Sequence, residues 1–456
     1  MLLKLLLLFV LVFCENVYSE ICSNASKLKC DCRIFTNTKS HLPMQTADCS
    51  ERGIENIPEN IEDGLSILDL SINVIQNLDP TKQALSSNSL EELILSYNNI
   101  TYIDVNFFQN LPNLQQLDLS NNFISAFNNS EVFQNLKSLN FLDLSYNNLN
   151  TLPDFIFNPL FKLIQLDLSY NYMGEFLTSS KSVLTDKLGL TSNLTQLSIN
   201  GLNLMELPSG YFDKFVDLKK LSLCDNDLSV IPTVPYTLEY LDLSGNKLTF
   251  ISARYLNYHS LKVLKLNEMD TLTDIHHYAF YNLFALEKLY INDCPNLKEF
   301  NELAFDVPSK DIDHHPKFLS LARNGLKSLN QSYKYFFKNM DHIDLTHNPW
   351  NCDCDILWLQ DFADELSKPH ELRCNYPSEL KHKKILDIEP SDLLECFPAI
   401  YGKKSHRVLI VVLSLSCVVL CGLIFYLLRY PINGIANKHK IGPNSPYSLA
   451  HTTDHA

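Results

Sequence analysis

The chain has 456 residues, with 52 acidic and 37 basic side chains and a net charge of -15. It is 46% hydrophobic and 20% charged, a composition that can bury a core and is unlike a disordered polymer. The acid excess excludes a nucleic-acid coat, which needs a basic footprint, and it makes any membrane link hydrophobic rather than electrostatic.

The chain opens with Lys4 and an apolar run from Leu5 to Phe13, followed by the small residues Val17 and Ser19 before Glu20. Residues 1–19 read as a signal peptide, because the run is too short to span a bilayer. Residues 20–53 then hold Cys22, Cys30, Cys32 and Cys49; a second cluster, Cys352, Cys354, Cys374 and Cys396, lies in 349–397. In an oxidising compartment each cluster reads as a disulfide framework, and four cysteines alone allow three pairings. Cys224 and Cys294 stand apart, about three sheet rungs from each other, too far to pair. Cys294 reads as a buried thiol and Cys224 as a partly shielded free thiol near the sheet rim.

Between the clusters, residues 54–348 repeat the pattern L-x-x-L-x-L-x-x-N. It is seen at Leu65-Leu68-Leu70-Asn73, Leu90-Leu93-Leu95-Asn98 and Leu114-Leu117-Leu119-Asn122, and twelve copies follow one another to Met340. The L-x-L core has period two, so each copy supplies a short strand with its leucines on one face. One coil buries half a face, and stacked coils close a continuous core. The ninth-place Asn can satisfy buried backbone groups where the chain leaves the strand. Leu202, Met269 and Cys294 break that rule. Insertions around Gly174–Asn193 and Asn301–His315 lengthen two copies and are expected at the surface.

This pattern is the leucine-rich repeat, and the chain resembles that family over residues 54–348. The resemblance implies an α/β solenoid, a curved horseshoe whose parallel strands line a concave face while turns and short helical segments form the other. The first cysteine cluster is similar to the N-terminal cap of extracellular members. The second, with Asn348-Pro349-Trp350-Asn351-Cys352-Asp353-Cys354, is similar to their C-terminal cap. The family pattern implies Cys22–Cys32, Cys30–Cys49, Cys352–Cys374 and Cys354–Cys396.

After a linker at 398–407, residues 408–428 carry no charge over 21 positions, enough to cross a ~30 Å hydrocarbon core. Flanking basic residues balance at three on each side, so the signal peptide decides a type I topology, with 429–456 as a short cytoplasmic tail. Asn444-Ser445-Pro446-Tyr447 and Asp454-His455-Ala456 are weak sorting and PDZ-like patterns in that tail. The mature ectodomain, 20–407, is at -17, which favours basic protein partners.

The fifth place of each repeat faces the concave side, with Asp69, Asp118, Asp143 and Asp167 among its occupants. Glu92 and Phe141 stand at the third place, and Tyr97, Tyr146 and Tyr170 at the eighth. Carboxylates beside aromatic rings suit protein recognition, and Glu92, Tyr97, Asp118, Phe141, Asp143, Tyr146, Asp167 and Tyr170 are the candidate partner-binding residues. The bland alternative is that L-D-L-S is family wording with a structural cause. N-glycosylation sequons stand at Asn24, Asn99, Asn128, Asn193 and Asn330.

No nucleophile elbow, zinc-protease motif or phosphate loop occurs, and no catalytic or metal residue or cofactor is expected. His276-His277 and His314-His315 read as solvated loop pairs, since adjacent residues chelate poorly. The chain has the plan of adhesion and guidance receptors of the Connectin and Capricious type. That resemblance implies a plasma-membrane recognition or adhesion protein that binds an extracellular protein, possibly itself, through the concave face. The alternative is a co-receptor or ligand sink that modulates another receptor, an innate-immune role included.

Overall fold

The computed structural model describes Cys22 and residues 30–36, 43–306 and 316–429, apart from 59–60, 62–63, 83, 339, 394–395 and 397. The expected signal peptide, Asn24, His314, His315, residues 307–315 of the second insertion and the tail from 430 lie outside the described residues.

The described residues up to Ile388 form one compact unit, built on a 14-stranded sheet. Its strands follow chain order. The hairpin Asp31–Thr36 and Pro43–Asp48 is antiparallel, and every later pairing is parallel. Twelve strands, from Leu65–Asp69 to His342–Asp344, carry the twelve repeats. Within each strand the central residue is buried and its neighbours face outward, as in Glu92-Leu93-Ile94 and Phe141-Leu142-Asp143. That alternation is the period-two pattern of the sequence expressed as a surface.

The core is the stack of leucines at places one, four and six; Leu90, Leu93 and Leu95 have no accessible surface. The ninth-place amides bind it together. Asn122 donates through Nδ2 to Leu95 O (2.9 Å) in the coil before and Leu119 O (3.1 Å) in its own, and its Oδ1 accepts from Ile100 N (3.0 Å). Asn147 repeats this with Leu119 O and Ile124 N. Leu95 O and Leu119 O are each shared by two amides, so neighbouring coils are tied together wherever the ninth place is Asn.

The eighth place is left-handed in all twelve repeats, from Ile72 (φ 55) through Tyr146 (φ 52) to His347 (φ 60), although it is glycine only at Gly201 and Gly245. The backbone must turn sharply there to drive the ninth-place Asn inward. A non-glycine residue accepts a local cost of about 1–2 kcal/mol so that the buried amide network can form.

The insertion at 174–193 is not a surface loop. It folds into a short helix, Gly174–Thr178, and a wide helical turn, Val183–Lys187. Leu177, Val183, Leu184 and Leu188 are buried, so its apolar residues extend the core. Gly174 is required there, because a Cβ would stand 2.1 Å from Leu202 O.

Both ends are closed by cap structure. Disulfides join Cys22 to Cys32, Cys30 to Cys49 and Cys352 to Cys374; Cys354 and Cys396 are also disulfide-bonded. In the C-terminal cap Trp350 is fully buried, and Trp358 Nε1 donates to Leu329 O at 2.9 Å. The second unit, residues 389–456, contains the helix Pro398–Arg429. Its stretch Val408–Tyr426 has a mean hydropathy of 3.0 and is long and apolar enough to cross a membrane.

Candidate functional site: the outward face of the sheet

The place-five aspartates have a backbone partner. Asp69, Asp118, Asp143 and Asp167 each turn one oxygen, Oδ1, onto the N–H two residues ahead, at 2.8, 2.9, 2.8 and 2.9 Å. Asp242 and Asp344 do the same for Ser244 and Thr346. The fragment D-x-S is thus a local turn cap, and the structural reading of L-D-L-S is correct for that oxygen.

In five of the six repeats without Asp at place five, all but the one with Ile94, the cap comes from the preceding coil. Asn200 N donates to Ser169 Oγ (3.0 Å) and Cys224 N to Asn200 Oδ1 (2.7 Å). Asn267 N donates to Ser244 Oγ (3.1 Å), Asn292 N to Asn267 Oδ1 (2.9 Å) and Ala322 N to Asn292 Oδ1 (2.9 Å). Asn200, Asn267 and Asn292 belong to the three repeats whose ninth place is Leu202, Met269 and Cys294. In those coils the amide has moved from the buried ninth place to the half-exposed seventh and still ties two coils together.

Glu92, Asp118, Asp143 and Asp167 are brought onto adjacent strands, with Asp69 before them, and each is half-buried. No Lys or Arg occupies a third or fifth place in the first five repeats, and none of the five carboxylates forms an ion pair among the described residues. Burial and the neighbouring Asp167 push the Asp143 carboxyl up to about 6. Burial also raises Asp167, and burial with Asp69 and Asp118 raises Glu92. Burial is the larger cause in each case, and the neighbouring carboxylates add to it. Phe141 lies half-buried beside Gln116 and Gln165 in the same row.

The tyrosines divide. Tyr97 is 60% exposed on the rim. Tyr146 and Tyr170 stack at 4.3 Å, and the Tyr170 hydroxyl donates to the Asp225 carboxylate across the gap left by Gly201. A Cβ at Gly201 would stand 2.3 Å from the Tyr170 ring. Burial and Asp225 raise the Tyr170 phenol, which stays neutral. Tyr170 is therefore an internal brace, whereas Tyr146 presents an exposed ring face.

The later repeats form a different patch. Lys265 lies 3.4 Å from Asp242 and 5.3 Å over the Tyr240 ring, and Tyr290, Phe318 and His342 continue a run of ring contacts at 4.8 and 4.4 Å. Tyr240, Lys265, Tyr290 and Phe318 were visible as places three and five. Extending the third-place row by one repeat would have added His342.

Both isolated cysteines are free thiols. Burial pushes Cys224 up to about 12 and Cys294 up to about 11, so neither thiol is activated. His276 stacks on Phe250, and His277 lies edge-on to Tyr278. Among the described residues no group of three metal-binding side chains occurs. Asn99, Asn128, Asn193 and Asn330 are all exposed.

A leucine rich repeat family model matches residues 88–149, and a BspA type leucine rich repeat region model matches 190–311 and 235–343. Chondroadherin of Mus musculus is 29% identical over 27% of this chain and 32% of its own length. Toll-like receptor 5 of Homo sapiens is 28% identical over 44% of this chain and 24% of its own. The chain thus spans about a third or less of these relatives' lengths. A leucine-rich repeat protein of Leptospira interrogans, 21% identical, aligns over 68% of this chain and 86% of its own with a TM-score of 0.48.

Proposed function

We propose that this chain, a leucine-rich repeat protein, is a cell-surface recognition protein that binds a basic extracellular protein on the outward sheet face of repeats one to five. The row of unpaired carboxylates from Asp69 to Asp167 carries this reading. Five acids on neighbouring strands repel one another in the free protein, and a partner bearing Lys or Arg would relieve that repulsion. Phe141 and Tyr146 beside them offer area for anchoring contacts. The disulfide caps support a location outside the cell, and the apolar stretch of the Pro398–Arg429 helix supports membrane anchoring.

The test is a mixed-cell aggregation assay with full-length protein on non-adherent cells, followed by a binding screen with the soluble ectodomain. Clustering of expressing cells with one another supports adhesion through a second copy. Binding to another protein without clustering favours the co-receptor or sink role. In either case the combined Glu92→Gln, Asp118→Asn and Asp143→Asn variant must lose binding while keeping its fold. Undiminished binding by that variant refutes the site.

A further inference from the structure

On the flank of the first two repeats lies a groove of about 480 Å3, lined by Glu55, Val74, Gln76, Asn77, Lys82 and Asn99 among others. All of its lining residues are exposed, so it is an open surface groove rather than an enclosed pocket. Its chemistry is amide-rich. The side-chain amides of Gln76, Asn77 and Asn99 are exposed and make no hydrogen bond among the described residues, so they are open to a ligand in place of water; the Asn128 amide is likewise open, while Asn193 donates to Phe161 O and Asn330 accepts from Ser332 N. Asn99 is the first residue of the sequon Asn99-Ile100-Thr101, so its own side chain is both a lining element and an attachment point. The sequon is held rigidly: Asn99 N donates to Ile75 O (3.0 Å), Thr101 N to Gln76 O (3.0 Å), and Ile100 is fully buried. A sugar linked at Asn99 Nδ2 would start inside the groove on a fixed stretch of backbone.

We propose that Asn99 carries an N-linked glycan whose first N-acetylglucosamine residues lie in this groove as a covalent filler of the flank. The open amides, with the Glu55 carboxylate and the Lys82 ammonium on the same lining, supply donors and acceptors suited to sugar hydroxyls and acetamido groups. Val74 supplies an apolar wall for a sugar face. The covalent link removes most of the entropy cost of placing the sugar, so modest contacts are enough to hold it. Seated there, the glycan lies past the strands and leaves the carboxylate row open to a protein partner. The inference rests on the secretory reading of the chain.

The experiment uses the full-length chain made in cultured animal cells and purified in detergent. Peptide mass spectrometry gives occupancy at each sequon. Enzymatic glycan release from the native protein is then timed at Asn99 and at the other occupied sequons. Release at Asn99 is expected to be about tenfold slower, the factor that corresponds to ~1.4 kcal/mol of contact. Gln76→Ala with Asn77→Ala, which keeps the sequon, should abolish the protection. Trimming to a single N-acetylglucosamine should leave the melting temperature unchanged, whereas Asn99→Gln, which keeps an amide but removes the sequon, should lower it relative to an Asn128→Gln control. An empty Asn99 beside occupied sequons elsewhere overturns the proposal, as does release at the same rate as the others. Absence of glycan at every sequon overturns it together with the secretory reading on which it rests.

Discussion

Replacing Asp143 by Asn separates the two jobs assigned to the carboxylate row. Asn keeps the oxygen that caps Ser145 N at 2.8 Å and removes the charge. In the folded protein, burial and then Asp167 raise the Asp143 carboxyl from 3.8 to about 6. At ~1.4 kcal/mol per pH unit this corresponds to about 3 kcal/mol, reduced toward about 1–2 kcal/mol by the water that still reaches the side chain. The sign follows from the raised value. The folded state holds the proton more tightly than the unfolded chain, so Asp143 favours folding below about pH 4 and loses that contribution as pH climbs through about 6. Asp143→Asn should therefore be the more stable protein at pH 7.4, and the two stability curves should converge below about pH 4. Fluorescence-monitored melts of the secreted ectodomain across that range provide the comparison. The same variant should bind the proposed basic partner more weakly. A variant no more stable than wild type at neutral pH, or a gap that does not close in acid, would show that the row is not electrostatically strained.

Three further substitutions probe the scaffold. Asn122→Leu leaves Ile100 N–H without a partner, while Leu95 O and Leu119 O keep Asn98 and Asn147; urea denaturation should show a loss of about 1–3 kcal/mol. Ile72 is β-branched at φ 55 and half exposed, so Ile72→Asn, which tolerates that conformation, should gain about 1 kcal/mol in the same assay. Gly201→Ala drives a methyl into the Tyr170 ring; it should destabilise by more than 1 kcal/mol and change the tyrosine signal, with Tyr170→Ala relieving the clash.

Much of this architecture was legible because its information is periodic. The leucine spacing placed all twelve repeat strands, and the ninth-place Asn announced a buried ladder. What escaped the sequence depends on neighbours one coil away. Asn200, Asn267 and Asn292 look like neutral variants of serine until Cys224 N, Asn292 N and Ala322 N are seen donating to them. Tyr170 reads as an exposed binding ring because its partner, Asp225, lies 55 residues away and is reached only across a glycine. The insertion after Asn171 reads as a loop by length alone, yet its apolar side chains are buried and join the core.

The two readings of the aspartate row, structural habit and binding surface, concern different atoms of the same side chain. Oδ1 is committed to the backbone turn, a task Ser and Asn perform elsewhere in the solenoid without bringing a charge. A solenoid needing only that cap could use the neutral solution in every repeat, as it does in the sixth, seventh and tenth. In the first five repeats four places use Asp instead, and Glu92 adds a carboxylate that caps nothing there. Burial, and after it the neighbouring carboxylates, raise Asp143 and Glu92, so these charges act against folding at neutral pH. A feature that opposes the stability of the free chain, and that neutral residues replace elsewhere in the same molecule, is the observation on which the proposed partner site rests.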